Sequence, residues 1–376
     1  MRPLDAVIVA GGRGTRLQPL THDTPKPLIE FCGEPFLGGV LVRLAAAGIE
    51  RVLLVVGTDT EPFEILRPTA EGLGLRLEMV PEPTPLDTAG GVRAVAETLR
   101  SPVLICNGDI LTDLDLDVLI NHHTTTGADA TIALTRVQDT SSFGVCVREG
   151  SRITSFVEKP APGTLPGQDA INAGTYLLDP ALLLRFEHGR LSFERQVFPD
   201  VLEMGGHLEG VIWDGAWADL GTPERLHEGH RMALDGELRW PSVEAVPDRG
   251  DGVRIAPDVE LGDDVSIVGP VLILGGAVIE KLAKIGPHVV IGRDCRVGPE
   301  TWLRRSVLGS RTEVRGDVRA DSVLTGPDAV IDAGISIVGD TVLGPGGVLT
   351  RMTLAHRGDD ERPTAVAGTR VPAPRG

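Results

Sequence analysis

From Ile255 onward the chain repeats itself every six residues. Ile255, Leu261, Ile267, Ile273, Ile279, Ile285, Ile291, Val297 and Leu303 stand in one phase. Four places after each of the first seven comes a small residue: Val259, Val265, Val271, Ala277, Ala283, Val289 and Cys295. A six-residue period excludes an amphipathic helix, whose apolar face returns every ~3.6 residues. It matches the hexapeptide repeat of a parallel β-helix, with the large residue inward and a small one near each corner. The register loosens after Leu303, although Gly, Val and Ile still alternate to about Leu349.

The first half follows a different rule. Short apolar runs end in glycine at Ala6–Ala10 before Gly11-Gly12, at Arg51–Val56 before Gly57, and at Val103–Asn107 before Gly108-Asp109. Such runs fit strands buried on both faces. Helical stretches from Phe36 to Ala47 and Gly91 to Leu99 lie between them. The alternation predicts a doubly wound, Rossmann-like α/β fold with a mixed, mainly parallel sheet. Runs at 130–137, 143–148 and 152–157 are more closely spaced and read as added strands. Thr222-Pro223-Glu224 opens a helix, with a cap residue and proline at the first helical position. The expected organisation is a catalytic domain over 1–238, a Pro/Asp/Gly-rich linker over 239–252, a β-helix over 253–350 and a loose tail over 351–376. A length of 376 residues agrees with two or three domains.

Composition narrows the partners. A formal charge of −17 argues against nucleic acid and against anionic membranes. No run approaches the ~20 apolar residues of a membrane helix. The start, Met1-Arg2-Pro3-Leu4-Asp5, has no secretory pattern. Cys32, Cys106, Cys146 and Cys295 are scattered, which suits a reducing cytoplasm. Only four of the 36 Lys and Arg are lysine: Lys26, Lys159, Lys281 and Lys284. Where lysine is kept, a compact ammonium is a reason to keep it; codon usage is the alternative reading.

Two of those lysines fall in motifs. Gly11-Gly12-Arg13-Gly14-Thr15-Arg16-Leu17 follows the first strand, and Pro25-Lys26-Pro27 comes shortly after. A glycine-rich turn there lets backbone N–H groups approach phosphate; alone it would read equally as a packing turn. With Arg16 and a proline-flanked Lys26 beside it, the segment resembles the signature of the sugar-1-phosphate nucleotidyltransferases, also called nucleotide-sugar pyrophosphorylases. The resemblance continues through Leu86–Gly91, Asn107-Gly108-Asp109, Phe143-Gly144, Glu158-Lys159-Pro160, Asn172-Ala173-Gly174, Ser192–Arg195 with Phe198-Pro199, and Trp217–Pro223. It is nearest to bacterial mannose-1-phosphate guanylyltransferases, which also carry a C-terminal hexapeptide, left-handed parallel β-helix.

The resemblance implies a reaction and a set of roles. A sugar-1-phosphate oxygen attacks the α-phosphorus of a nucleoside triphosphate, and pyrophosphate leaves. This needs charge neutralisation and alignment rather than a protein nucleophile. Gly11, Gly12, Gly14, Thr15, Arg16 and Lys26 would hold the triphosphate, with Arg16 and Lys26 counted as catalytic alongside Asp109. Glu82, Thr88 and Gly90 would hold base and ribose. Gly144, Glu158 and Asn172 would contact sugar hydroxyls, and Lys159 the sugar phosphate. Asp109 and Asp219 would bind Mg²⁺. Taken singly, Asp109 reads equally as a cap or turn residue, Asp219 as a turn aspartate, and Glu158-Lys159 as a solvated charge pair. Asp87 departs from the family, which has glycine there; it would alter base or ribose contacts or face water.

Thr88-Ala89-Gly90-Gly91 replaces the Leu-Ala step of thymidylyltransferases. That favours GTP, with dTTP and ATP behind, and mannose-1-phosphate ahead of glucose-1-phosphate or a heptose or cyclitol phosphate. A regulatory subunit that binds nucleotide-sugar without turnover is the alternative from another class. The β-helix would build a homo-oligomer. His227-Glu228-Gly229-His230 lacks the spacing of a zinc motif and reads as helix surface. His122-His123 is expected to end a helix. His288, the one histidine of the repeats, has no evident partner for acyl transfer.

Overall fold

The computed structural model describes residues 4–12, 14–161, 163–165 and 167–351. Of the expected tail only Arg351 is described; residues 352–376 lie outside. The chain divides into two compact units, 1–12 with 40–219, and 13–39 with 220–376. The boundary expected at 238/239 therefore falls inside the second unit.

The first unit is built on a nine-stranded sheet. Arg76–Pro81, Ile49–Val56, Leu4–Val9 and Val103–Asn107 lie side by side, all parallel. Ala170–Leu178 then joins Val103–Asn107 antiparallel, followed by Ala130–Arg136, Leu208–Ile212, Arg152–Glu158 and Gly144–Glu149. The sheet is mixed because later strands arrive through short connections as well as helical crossovers. Its centre is apolar on both faces: Val7, Leu53, Ile105, Ile132 and Tyr176 are buried on one, and Ile8, Leu54, Leu104 and Leu177 on the other.

Leu4–Val9 has Ile49–Val56 on one side and Val103–Asn107 on the other. The strand order reverses between Leu4–Val9 and Val103–Asn107, and in doubly wound sheets ligands bind at the carboxyl ends of such strands. Those ends carry Gly11-Gly12 and Asn107-Gly108-Asp109. They approach closely: Gly108 N–H donates to Val9 O at 2.8 Å, and a Cβ on Gly108 would sit 3.0 Å from that oxygen. The strand itself ends at Asn107. Asp109 stands in the turn before a second short strand, Ile110–Thr112.

The second unit contains the repeats as a parallel β-helix. Val253 pairs with Val271 and Val271 with Val289, one coil of three hexapeptides at each step. The loosened register has a specific cause. Val289 pairs with Ser306 and Glu313 with Val330, so these coils are one residue shorter. Each deletion is absorbed at a corner and the inward side stays apolar, with Leu308, Val314, Ala320, Ile331, Ile337, Leu343 and Leu349 buried.

Residues 13–39 and 220–252 complete this unit. The helix Pro223–Leu234 is capped by Thr222, whose hydroxyl accepts from Arg225 N–H. The stretch expected as linker forms a short helix, Pro241–Glu244, and buries Trp240, Val243 and Val246. Trp240 stacks on Phe36 at 5.3 Å and meets Phe31 edge-on at 5.1 Å. His230 corrects the reading of its motif as helix surface. It is buried, with Nδ1–H donating to Leu226 O at 2.8 Å and Nε2 accepting from Cys32 N–H at 3.3 Å. His122 and His123 lie near the end of the helix Leu116–Thr126, with His123 in its last turn. His288 does have a partner, Asp235, at 2.9 Å.

Candidate active site

A cleft of about 260 Å³ opens in the first unit, and residues from seven of the sequence motifs line it. Thr88, Asp109, Gly144, Glu158, Lys159, Asn172 and Asp219 are all on its wall. The antiparallel pairing of Trp217–Asp219 with Ile110–Thr112 sets Asp219 opposite Ile110, one residue from Asp109. Two carboxylates separated by more than a hundred residues thus reach the same wall through backbone pairing.

Another part of the lining comes from the hairpin Gly144–Glu149 and Arg152–Glu158, where Glu158 pairs with Gly144. A Cβ on Gly144 would lie 2.7 Å from the Phe156 ring and 3.0 Å from Glu158 Oε2. Lys159 follows in left-handed backbone, φ 48°, with its N–H bonded to Phe143 O at 3.0 Å and its ammonium 3.3 Å from Glu158. A lysine held in that region is strained, and such strain concentrates at functional sites.

Glu82 lies outside this lining. Its carboxylate is packed against two glycines: a Cβ on Gly11 would be 3.3 Å from Oε2, and one on Gly91 2.8 Å from Oε1. Oε1 is buried without a hydrogen-bond partner among the described residues. Burial pushes its carboxyl above the usual range, against the lowering effect of a hydrogen bond from Leu86. Gly90 sits in the helix Asp87–Val95, its N–H bonded to Leu191 O at 3.1 Å, and Gly12 has open space beside its Cα.

Asp87 also adopts left-handed backbone, φ 68°, the conformation glycine enters without strain. Its carboxylate accepts from Thr88 N–H at 3.0 Å and pairs with Arg190 at 3.3 Å. Aspartate tolerates this region better than most residues, and its own side chain offsets part of the strain.

Gly14, Thr15, Arg16 and Lys26 belong to the second unit. Gly14 has φ 61° and opens the short helix Thr15–Leu17. A Cβ there would come within 2.9 Å of Lys26 Cβ and 3.0 Å of Thr21, so the turn and the lysine segment are packed together. Thr21 fastens them by donating to Gly14 O at 2.7 Å. Arg16 is exposed and lines a cavity of about 860 Å³ within this unit.

Several lining residues were not singled out from the sequence, Glu194 and Arg195 among them. Glu194 and Arg195 stand on the cleft wall, carried by a single π-helical turn, Phe193–Val197. Their motif was visible, but a surface Glu-Arg pair is common and nothing local distinguishes it. Tyr176 lies behind the wall, fully buried.

The chain is similar to known proteins along most of its length. Residues 5–236 match the nucleotidyl transferase family, and 267–355 match the GMPPB C-terminal domain. The chain is 39% identical over 291 residues to a mannose-1-phosphate guanylyltransferase of Mycobacterium tuberculosis, covering 76% of this chain and 77% of that one. It is 32% identical over 350 residues to the mannose-1-phosphate guanylyltransferase catalytic subunit beta of Danio rerio, covering 90% and 96%. Among solved structures, HddC from Yersinia pseudotuberculosis complexed with GMP-PN superposes with TM-score 0.51 at 26% identity, over 60% of this chain and 97% of that one. With these matches along its length, the chain belongs to the nucleotidyl transferase family.

Proposed function

We propose that this chain is a mannose-1-phosphate guanylyltransferase. It joins mannose-1-phosphate to the guanylyl group of GTP and releases pyrophosphate. The observation that carries the reading is the convergence of Asp109 and Asp219 with Glu158, Lys159 and Asn172 on one cleft. The phosphate oxygen of the sugar phosphate forms a bond to the α-phosphorus while the bond to the β-phosphate oxygen breaks. Arg16 and Lys26 hold the triphosphate, Lys159 the sugar phosphate, and Glu158, Asn172 and the Gly144 backbone the sugar. Gly11, Gly12, Gly14 and Thr15 supply backbone donors to phosphate, with Glu82, Thr88 and Gly90 on the base and ribose side.

Two hard carboxylate oxygen donors fit Mg²⁺, which is typically held by one or two carboxylates together with substrate phosphates. Bound at Asp109 and Asp219, it would neutralise charge on the reacting phosphates. Glu82 supports guanine: an acceptor-only carboxylate complements the N1–H and N2–H₂ edge. Thymine offers a single N–H on its pairing edge, and adenine offers an acceptor beside its amino group.

Catalysis is assigned to the sequence before 239, assembly of a homo-oligomer to the repeats, and the compartment to the cytoplasm, which suits four buried free thiols. Among the described residues no helix is long and apolar enough to cross a membrane. The test is pyrophosphate release from GTP, dTTP, UTP and ATP with mannose-, glucose- and heptose-1-phosphates. GTP with mannose-1-phosphate is expected to be fastest. Turnover with no pair would favour a regulatory subunit instead, and light scattering reads the assembly.

A further inference from the structure

Glu194 is the hub of a hydrogen-bond network joining three separate segments. Its Oε2 accepts from Thr88 Oγ1 at 2.7 Å and from Ser192 Oγ at 2.8 Å. Its Oε1 accepts from the Tyr176 hydroxyl at 3.0 Å and lies 3.5 Å from Asn172 Nδ2. Thr88 is in the first turn of the helix Asp87–Val95, while Asn172 and Tyr176 are on the strand Ala170–Leu178. One carboxylate therefore bridges the motif assigned to the nucleotide and the strand assigned to the sugar.

The chemistry dictates the direction of every bond. A carboxylate only accepts, so the Tyr176 proton goes to Glu194. Burial and the neighbouring Glu194 raise the Tyr176 phenol well above its ordinary range, which keeps that proton in place. The Tyr176 oxygen then accepts from Asn172 Nδ2 at 2.6 Å. Asn172 Oδ1 accepts from Gly174 N–H at 2.8 Å, and that backbone donor excludes the flipped amide. Both Nδ2 hydrogens are directed inward, toward Tyr176 and Glu194. What Asn172 keeps for the cleft is one Oδ1 lone pair. Thr88 is equally committed: its hydroxyl donates to Glu194 and accepts from Phe193 N–H at 3.0 Å.

We propose that Glu194 and Tyr176 are positioning residues that present Asn172 to the sugar phosphate as a pure hydrogen-bond acceptor, and couple that presentation through Thr88 to nucleotide binding. The proposal rests on the functional reading above. Binding of nucleotide against the Asp87–Val95 helix orders Thr88, hence Glu194, hence Asn172. The sugar is then recognised through a hydroxyl that donates. Ordering shared between two ligands is a source of positive coupling.

Tyr176→Phe removes one oxygen and keeps the ring packed on Phe193 and Phe198, at 5.1 and 5.2 Å. Glu194→Gln keeps shape but turns one acceptor into a donor. In Tyr176→Phe the KM for mannose-1-phosphate is expected to rise about tenfold, the effect of one hydrogen bond, while kcat and the KM for GTP change less than about threefold. Calorimetry on the full chain supplies a readout independent of turnover: the Kd of mannose-1-phosphate with and without a non-hydrolysable GTP analogue. The parent protein is expected to bind sugar phosphate more tightly with nucleotide present, and that ratio is expected to fall to about one in both variants. Unchanged KM and an unchanged ratio in variants with the parental Tm would overturn the proposal, as would equal losses for both substrates. Absence of turnover in the parent protein would sink the functional reading alone, because the calorimetric ratio still decides the coupling.

Discussion

Asp219 pairs opposite Ile110, the residue that follows Asp109, so both carboxylates should contribute to the same charge-neutralising step. Asp109→Asn and Asp219→Asn are each expected to lower kcat by on the order of 10³-fold, several kcal/mol of transition-state stabilisation. Far-ultraviolet circular dichroism should be unchanged, since neither side chain is in a core cluster. Either variant turning over at the parental rate in saturating Mg²⁺ would remove that residue from the metal assignment. Lys26 makes a different demand. It begins the short helix Lys26–Leu28 between Pro25 and the buried Pro27, with its Cβ against Gly14. A guanidinium fork needs more room than an ammonium and points its donors differently. Lys26→Arg is expected to reduce kcat on the order of 10²-fold, the effect of misplacing a reacting group by ~1 Å, with a smaller change in KM for GTP. Parental kinetics in that variant would reduce the scarcity of lysine to codon usage.

At the level of elements, His230 links the helix Pro223–Leu234 to the Cys32 turn, and it does so only as a neutral imidazole. Its Nε2 must accept from Cys32 N–H, so a proton there replaces attraction with repulsion between two donors. Burial lowers its pKa from 6.5 to about 3. With the folded value below the unfolded one, the unfolded state binds the proton first as pH falls. The stabilisation is therefore complete above about pH 6.5 and is lost progressively toward pH 3. Chemical denaturation at several pH values is expected to show stability falling across this window, with a shallower slope in His230→Asn at the cost of some stability at neutral pH. Equal slopes in the two proteins would mean that other groups carry the acid sensitivity. The β-helix obeys a simpler rule. Coils differing by one residue still pair strand on strand, because most strands are only two or three residues long and the longer pair Arg319–Thr325 and Ser336–Leu343 shifts register between Asp321 and Val323.

For the whole molecule, the second unit joins residues 13–39 to 220–376. A break after residue 238 removes Trp240, which is fully buried between Phe31 and Phe36. Losing a buried tryptophan typically costs ~3–5 kcal/mol. It also removes Ser310, whose N–H donates to Glu30 at 2.7 Å. The segment thereby unsupported carries Arg16 and Lys26. A chain ending at 238 is expected to melt at a lower temperature and to lose most pyrophosphate release, whereas one ending at about 350 should keep both. Parental melting and turnover in the shorter chain would show that residues 1–238 support the catalytic segment by themselves.

The sequence by itself determined the repeat architecture, the α/β order of the first half and the site motifs, because each is written in local spacing. A six-residue apolar period admits one kind of coil, and a glycine-rich turn after a buried strand admits few uses. Other features depended on partners remote in the chain. Asp219 meets the Asp109 turn only through the pairing of Trp217–Asp219 with Ile110–Thr112. His230 looks like helix surface until Phe31 and Cys32 cover it. The Pro-rich stretch after residue 238 reads as linker because buried Trp240 is a single side chain, with no period to announce it. Glu194 gains its role from Thr88, Tyr176 and Asn172, three residues on two other segments. Burial and hydrogen-bond partnership are properties of pairs brought together by folding. Spacing along one chain encodes which face a residue takes, but tertiary structure alone decides what stands opposite that face.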